Sequence, residues 1–144
     1  MIKRDLKGKL IALAVGLVVF IGLQALSVTV LKDVYLFEWL ARARYCYVWA
    51  AVVVLILFDQ TLISYFVTIG TLCGAFVGQY LGDYIEARNI AKITPDMSDD
   101  MKNAILCNSH PGAFIFAAIV LGFAVIGIIC RIAVSASRRR KNQQ

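Results

Sequence analysis

Proline is nearly missing from this chain, with two residues in 144, and no low-complexity tract divides the sequence. Domain boundaries usually fall in flexible linkers rich in proline, glycine or polar residues. No such linker is visible, and the length suits one compact unit. We therefore expect a single domain that covers residues 1–144.

Charged side chains are also scarce, at 17% of the residues, whereas 60% of the residues are hydrophobic and the mean hydropathy is +0.76. Average soluble domains are about 25% charged and about 45–50% apolar. The apolar residues are concentrated in a few long runs, as membrane spans require. The composition excludes an ordinary soluble domain and predicts an integral membrane protein.

Histidine occurs once, and the four cysteines form no CxxC pair, so the usual ligand sets of structural zinc sites are missing. No serine or cysteine lies at a diagnostic spacing from His110, which argues against nucleophilic catalysis. We interpret His110, which precedes Pro111-Gly112, as a turn or interface residue. The sequence thus predicts no catalytic residue, no metal site and no cofactor, and we expect that the protein is not an enzyme.

The fold class predicted is an all-α integral membrane protein with four transmembrane helices in a compact bundle. A short interfacial or extracytoplasmic helix is expected between helices 3 and 4. Each apolar run of about 20 residues can cross a hydrocarbon core of about 30 Å. The predicted spans cover about 10–31, 38–58, 61–83 and 112–134, with a polar external loop at 84–111 and basic tails at 1–9 and 135–144.

Two of the predicted spans could be assigned differently. The first apolar run could belong to a signal peptide, but it exceeds the 7–15 residues of a typical signal core, so we favour a retained span. The apolar stretch from Tyr45 to Tyr84 is too long for one span and must fold back. A turn near residues 68–70 would bury Asp59, at a cost of about 2.5–3.5 kcal/mol. We therefore predict the turn at Asp59-Gln60, although no glycine or proline marks it.

The predicted external loop at 84–111 contains residues that mark the end of one helix and the start of another. We expect the third helix to project to about Ile93 and to end before Pro95, because a residue that precedes proline disfavours helix. Ser98, followed by two aspartates, is typical of a helix N-cap. Cys46 and Cys107 would lie near the same face, where an oxidising compartment could join them in a disulfide.

Basic residues are concentrated at the two ends of the chain. If both termini lie on one side of the membrane, that side holds nine of the fifteen lysines and arginines. The bias predicts cytoplasmic termini, in the plasma or inner membrane of the cell. No basic face interleaved with aromatic residues is present, so nucleic acid is not an expected partner. The expected partners are the lipid bilayer and either another membrane protein or a second copy of this chain.

Glycines recur at four-residue spacing in the third span, where residues four apart share one helix face. Such a ridge lets a neighbouring backbone approach closely. Two interpretations are open, namely packing against another span of the same chain and an interface with another chain. We expect an accessory or assembly subunit that docks through this helix; the alternative is a small homo-oligomeric channel or transporter. The packing or interface residues predicted are Gly70, Gly74, Gly78, Gly82, Thr71 and Ala75.

The row of residues beside this ridge becomes polar toward the loop. Gln79, Asp83 and Glu86 are predicted to form a polar or cation-attracting cluster near the membrane boundary. Carboxylate oxygens attract cations, although most clusters of this kind are solvated helix surface. The sequence alone leaves both interpretations open.

Overall fold

The computed structural model describes residues 2–42, 44–107 and 110–141, and these ranges contain six helices and no strand. Side chains of residues 2–5, 107 and 138–141 lie outside the described part. The all-helical prediction is confirmed. The helices are α1 (Ile2–Thr29), α2 (Tyr35–Ala41), α3 (Arg44–Leu57), α4 (Thr61–Ile90), α5 (Asp99–Cys107) and α6 (Gly112–Lys141).

Three helices are long and apolar enough to cross a membrane. These candidate spans are Leu6–Thr29, Thr61–Ile90 and Gly112–Ser137. Helices α2 and α3 reach the required length only as a pair, and the pair is bent by 62°. The chain therefore has three candidate spans, or four if α2 and α3 cross together.

The predicted helix over residues 38–58 is divided in the structure. Arg42 leaves the helical conformation, with φ −71° and ψ 49°, and its carbonyl oxygen accepts a 3.1 Å hydrogen bond from Arg44 Nη1. The Arg42 guanidinium also pairs with Glu38 one turn earlier. Charged side chains are costly in hydrocarbon. The break therefore places two exposed arginines at helix ends, Arg42 after α2 and Arg44 at the start of α3, instead of inside a continuous apolar helix.

The turn between α3 and α4 lies at Asp59-Gln60, as predicted. The Asp59 amide donates to the Ile56 carbonyl at 3.2 Å, and the Gln60 amide donates to the Leu55 carbonyl at 2.8 Å. These two bonds define a Schellman motif, whose left-handed position is usually glycine. Asp59 occupies that position with a φ of 59°. Aspartate tolerates left-handed backbone better than most residues, which explains a tight turn without glycine.

We expect Asp59→Ala to lower the free energy of unfolding by about 1 kcal/mol, because alanine is strained at positive φ. Asp59→Gly relieves that strain, and it should recover most of the loss. Thermal unfolding in mild detergent measures both variants. Asp59 also pairs with Lys9 of α1. Equal losses in the two variants would therefore contradict the backbone explanation and point to the charge pair.

The core lies between α1, α2, α3 and α4. Helix α2 contributes three side chains that are nearly inaccessible, Leu36, Phe37 and Leu40. Phe20 and Leu23 of α1, Val52 and Ile56 of α3, and Ile63, Val67 and Ala75 of α4 complete the buried cluster with Ala12, Tyr45 and Phe116. Through this buried face, α2 packs against α1, α3 and α4.

Helix α6 packs chiefly against α4 and runs antiparallel to it. Gly82 lies beside His110 at one end of the pair, and Gly127 lies beside Ile63 and Phe66 at the other. Only 11% of the apolar window of α6 is buried, against 50% for α4. Most of the surface of α6 therefore faces away from the rest of the chain.

The segment between α4 and α6 follows the predicted order. Helix α4 ends at Ile90, three residues before the predicted limit. The Met101 amide donates to Ser98 Oγ at 3.4 Å, so Ser98 caps α5 as predicted. Three acidic side chains of this segment, Asp96, Asp99 and Asp100, are exposed.

Candidate functional site

The glycine ridge of α4, defined by Gly70, Gly74, Gly78 and Gly82, is buried against α6 and the segment before it. A Cβ atom on Gly70 would lie 2.7 Å from Cβ of Phe123, and one on Gly74 would lie 3.1 Å from Cδ2 of Phe116. The distance at Gly70 is shorter than real Cβ contacts, so a larger residue there requires α6 to move, whereas at Gly74 the Phe116 ring would have to shift by a few tenths of an ångström.

Gly78 marks a point where the two backbones touch. A Cβ on Gly78 would lie 3.0 Å from the Gly112 carbonyl oxygen and 3.3 Å from the Phe116 amide nitrogen. A Cβ on Gly112 would lie 3.0 Å from the Gly78 carbonyl oxygen in turn. This close approach is what small residues at four-residue spacing permit between membrane helices. In the structure, therefore, α6 and the segment before it cover the ridge.

Thr71 and Ala75 lie beside the ridge in the dry core. Both have zero exposure, and the Thr71 hydroxyl donates to the Val67 carbonyl at 2.8 Å. The row continues through Gln79 to Asp83, whose amide and carboxylate groups are more polar than the hydroxyl and methyl groups of the first two members. These two residues lie where α4 meets the start of α2.

Gln79 uses both ends of its amide group, since the oxygen joins α4 to α2 and the nitrogen bonds within α4. Its Nε2 donates to Asp83 Oδ1 at 2.6 Å, and its Oε1 accepts a 2.8 Å hydrogen bond from the Leu36 amide. The first amides of a helix have no partner within the helix. Gln79 therefore satisfies one of these groups in α2 and orients the Asp83 carboxylate.

His110 completes a cluster that the sequence did not predict. Its side chain is only 5% exposed, and its Nε2 lies 3.1 Å from Asp83 Oδ1. Its Nδ1 accepts a 3.2 Å hydrogen bond from the Gly112 amide, and its ring lies 4.2 Å from that of Tyr35. Because Nδ1 is an acceptor, the neutral ring carries its proton on Nε2 and donates it to Asp83.

The imidazole of His110 occupies space that two glycines leave open. A Cβ on Gly82 would lie 2.8 Å from Nε2, and a Cβ on Gly112 would lie 2.9 Å from Nδ1. Gly82, the last glycine of the ridge, therefore packs against the His110 side chain and not against the backbone of α6. A substitution there would displace the histidine.

Asp83, Glu86 and His110 each offer one potential ligand atom, and these atoms all lie within 4.8 Å of one another. We call this group the Asp83–Glu86–His110 cluster. Asp83 is exposed, whereas Glu86 and His110 are half-buried as whole residues. Of the predicted polar residues, the structure places Asp83 and Glu86 here, with Gln79 hydrogen-bonded to Asp83. His110 is 27 residues from Asp83 along the chain, and no spacing pattern signals the contact.

The predicted disulfide cannot be placed. Cys46 is an exposed free thiol in the first turn of α3, and Cys73 and Cys130 are partly buried free thiols. The side chain of Cys107, the second partner of the predicted bond, lies outside the described residues.

The described site offers two chemical features, a dry interface between α4 and α6 and a mixed carboxylate–imidazole cluster at its end. The first supports helix packing, and the second supports hydrogen bonding and cation binding. Comparisons of the chain with protein-family models, with curated proteins and with solved structures find no match.

Proposed function

We propose that this chain is a non-catalytic, multi-pass membrane subunit that assembles with another membrane protein or with a second copy of itself. In this proposal α2 and α3 cross the membrane together as the fourth span. Both termini lie on the cytoplasmic side of the cell membrane, as the distribution of lysine and arginine favours. The pairing of Lys9 with Asp59 supports the arrangement, since it brings the start of α1 and the α3–α4 turn to the same end.

One observation carries the proposal, namely an unused pair of small residues on α6. Ala118 and Gly122 are exposed, and a Cβ on Gly122 would have no heavy atom within 4 Å. The residues of α6 that contact α4, such as Phe116 and Gly127, lie on the other side of the helix. Small residues four apart on a membrane helix permit close approach of a partner helix. We name the pair the outer small face of α6.

Large apolar side chains on the surface of α6 do not by themselves indicate a docking surface. Lipid tails are as apolar as leucine, so exposed leucine or isoleucine in a membrane span needs no protein partner. A shallow surface formed by alanine and glycine differs, because a helix backbone can approach it and gain van der Waals contact. The proposed docking surface is therefore the outer small face, since α6 already covers the ridge on α4.

We expect Gly122→Leu, alone or with Ala118→Leu, to abolish assembly while the free energy of unfolding changes by less than about 0.5 kcal/mol. Leucine at these positions would hold a partner helix away without meeting any atom of this chain. Intact complexes from mild detergent, weighed by mass spectrometry, provide the measurement. Gly22→Leu is the matched control, because Gly22 on α1 is equally open.

Retention of the partner by both α6 variants would contradict the docking surface. A wild-type chain that is a lone monomer under these conditions would contradict the proposed function as a whole. A foreign protein at fixed stoichiometry would identify the complex, whereas a uniform homo-oligomer would identify self-assembly.

A homo-oligomeric channel or transporter is the second candidate, and the acidic side chains of the Asp83–Glu86–His110 cluster favour it. Carboxylates at a mouth raise the local concentration of cations. Transport sites usually place ionisable residues in mid-membrane. Among the described residues, however, the polar residues that are buried as whole residues are Ser27, Ser64, Thr68 and Thr71, none of which carries a charge. Cation flux into liposomes that contain the purified protein would favour this candidate over the first.

A further inference from the structure

We propose that the Asp83–Glu86–His110 cluster binds one divalent transition-metal ion, and that Zn²⁺ is the ion that its ligands suit best. The three ligand atoms lie within 4.8 Å of one another, although they come from two separate segments of the chain. Asp83 and Glu86 lie one turn apart on α4, and His110 lies just before α6. Small side-chain rotations bring three such atoms onto one ion.

The ligand types select the class of ion. Calcium and magnesium prefer sites made entirely of oxygen ligands. An imidazole nitrogen combined with carboxylates suits Zn²⁺, which binds histidine nitrogen and carboxylate oxygen at about 2.0–2.2 Å. Three protein ligands leave one position of a tetrahedral Zn²⁺ for water. The Asp83 side chain is 59% exposed, which gives the ion and this water access from solvent.

The histidine is held in position by the fold itself. Its ring is 95% inaccessible, since only 5% of the side chain is exposed, and it lies between Gly82 and Gly112 with the Tyr35 ring beside it. A ligand that is already ordered loses little conformational freedom when the ion binds. The two glycines therefore contribute to the site by leaving space for the ring.

The carboxylate of Asp83 is oriented by a further residue. Gln79 donates to Asp83 Oδ1, and its own amide oxygen is held by the Leu36 amide. Residues that hydrogen-bond to metal ligands in this way fix their geometry and raise metal affinity. The site therefore has three potential ligands, and Gln79 connects one of them, Asp83, to the backbone of α2.

Metal binding requires one rearrangement of protons. Zn²⁺ takes the lone pair of His110 Nε2, so the ring proton moves from Nε2 to Nδ1 and the ring stays neutral. The Nε2–H···Asp83 hydrogen bond is replaced by two metal–ligand bonds. The hydrogen bond from the Gly112 amide to Nδ1 is lost, which costs part of the free energy of metal binding. No oxidant, reductant or further reactant is needed.

The test is a calorimetric titration of the full chain in mild detergent with ZnCl₂. We expect one Zn²⁺ per chain, at least tenfold weaker binding in Asp83→Asn and in Glu86→Gln, and no binding of Mg²⁺ at the same concentration. Asp96→Asn and Asp100→Asn are matched controls, because they remove acidic groups of the same loop outside the cluster. Both should bind Zn²⁺ as the wild type does.

Thermal unfolding without metal accompanies each titration, so that a folding defect is recognised. The two isosteric variants should unfold at the wild-type temperature without Zn²⁺ and should lose the upward shift that Zn²⁺ gives the wild type. A Co²⁺ complex should show a spectrum of nitrogen and oxygen ligands. A thiolate charge-transfer band, unchanged affinity in both variants or no binding by the wild type would each overturn the proposal.

Discussion

Gly78→Leu is expected to separate α6 from α4 and to lower the free energy of unfolding by about 3 kcal/mol or more. The added side chain would begin 3.0 Å from the Gly112 carbonyl oxygen and 3.3 Å from the Phe116 amide nitrogen. Both are backbone atoms, so no rotamer change can make room. Relief requires a shift of the whole helix, with loss of contact along the ridge. Unfolding by heat or by sodium dodecyl sulfate in mixed micelles measures the loss.

Gly22→Leu is the matched control for this experiment. It makes the same substitution at a glycine in a membrane helix, but at a position with open space around it. Its stability should equal that of the wild type, while Gly78→Ala should fall between the wild type and Gly78→Leu. Equal stability of Gly78→Leu and Gly22→Leu would mean that α4 and α6 do not touch at this point.

Phe37→Ala is expected to lower the free energy of unfolding by about 3 kcal/mol. Phe37 of α2 is 2% exposed, and its ring meets the edge of Phe76 at a centroid distance of 5.4 Å. Truncation leaves a cavity and removes many dispersion contacts at once. Because α2 is only seven residues long, Leu36 and Leu40 are the two other buried side chains that hold it against the core.

Phe114→Ala serves as the control for the loss of aromatic area. Phe114 is 83% exposed on α6, so its removal should change stability by less than about 0.5 kcal/mol. Both variants are compared by thermal unfolding in the same detergent. A Phe37 variant as stable as the Phe114 variant would show that α2 is not part of the cooperative core.

Three of the spans and the tight turn could be predicted because each rests on a local and large free-energy term. An apolar run has to match the thickness of the bilayer, and a buried aspartate is costly. Those two constraints locate the turn at Asp59 without any turn signal. The left-handed conformation of Asp59 was not predictable, since aspartate adopts it only where the surrounding hydrogen bonds require it.

The partner of the glycine ridge could not be predicted from the sequence pattern. Four-residue spacing predicts a face for close approach, but it does not say which helix comes close. In the structure, Phe123, Phe116 and Gly112 on α6 match the ridge in turn. The match depends on shape across two helices far apart in sequence, and a single-helix pattern contains no such information.

The His110–Asp83 contact and the break between α2 and α3 were not predicted, for different reasons. The contact between His110 and Asp83 is a tertiary contact across 27 residues, and no local pattern encodes it. The break between α2 and α3 did have a signal. Arg42 and Arg44 are the basic residues least suited to a continuous apolar span, and the structure places both at the break.

The close fit of α4 to α6 has a consequence for the order in which the chain is made. Gly78 leaves the ribosome about 40 residues before Phe116. At a synthesis rate of about 5–20 residues per second, the ridge exists for roughly 2–8 s before α6 follows. Throughout that interval, its bare backbone faces lipid or the insertion machinery. A nascent chain interrupted before residue 112 would lack α6 and would leave the ridge of α4 uncovered.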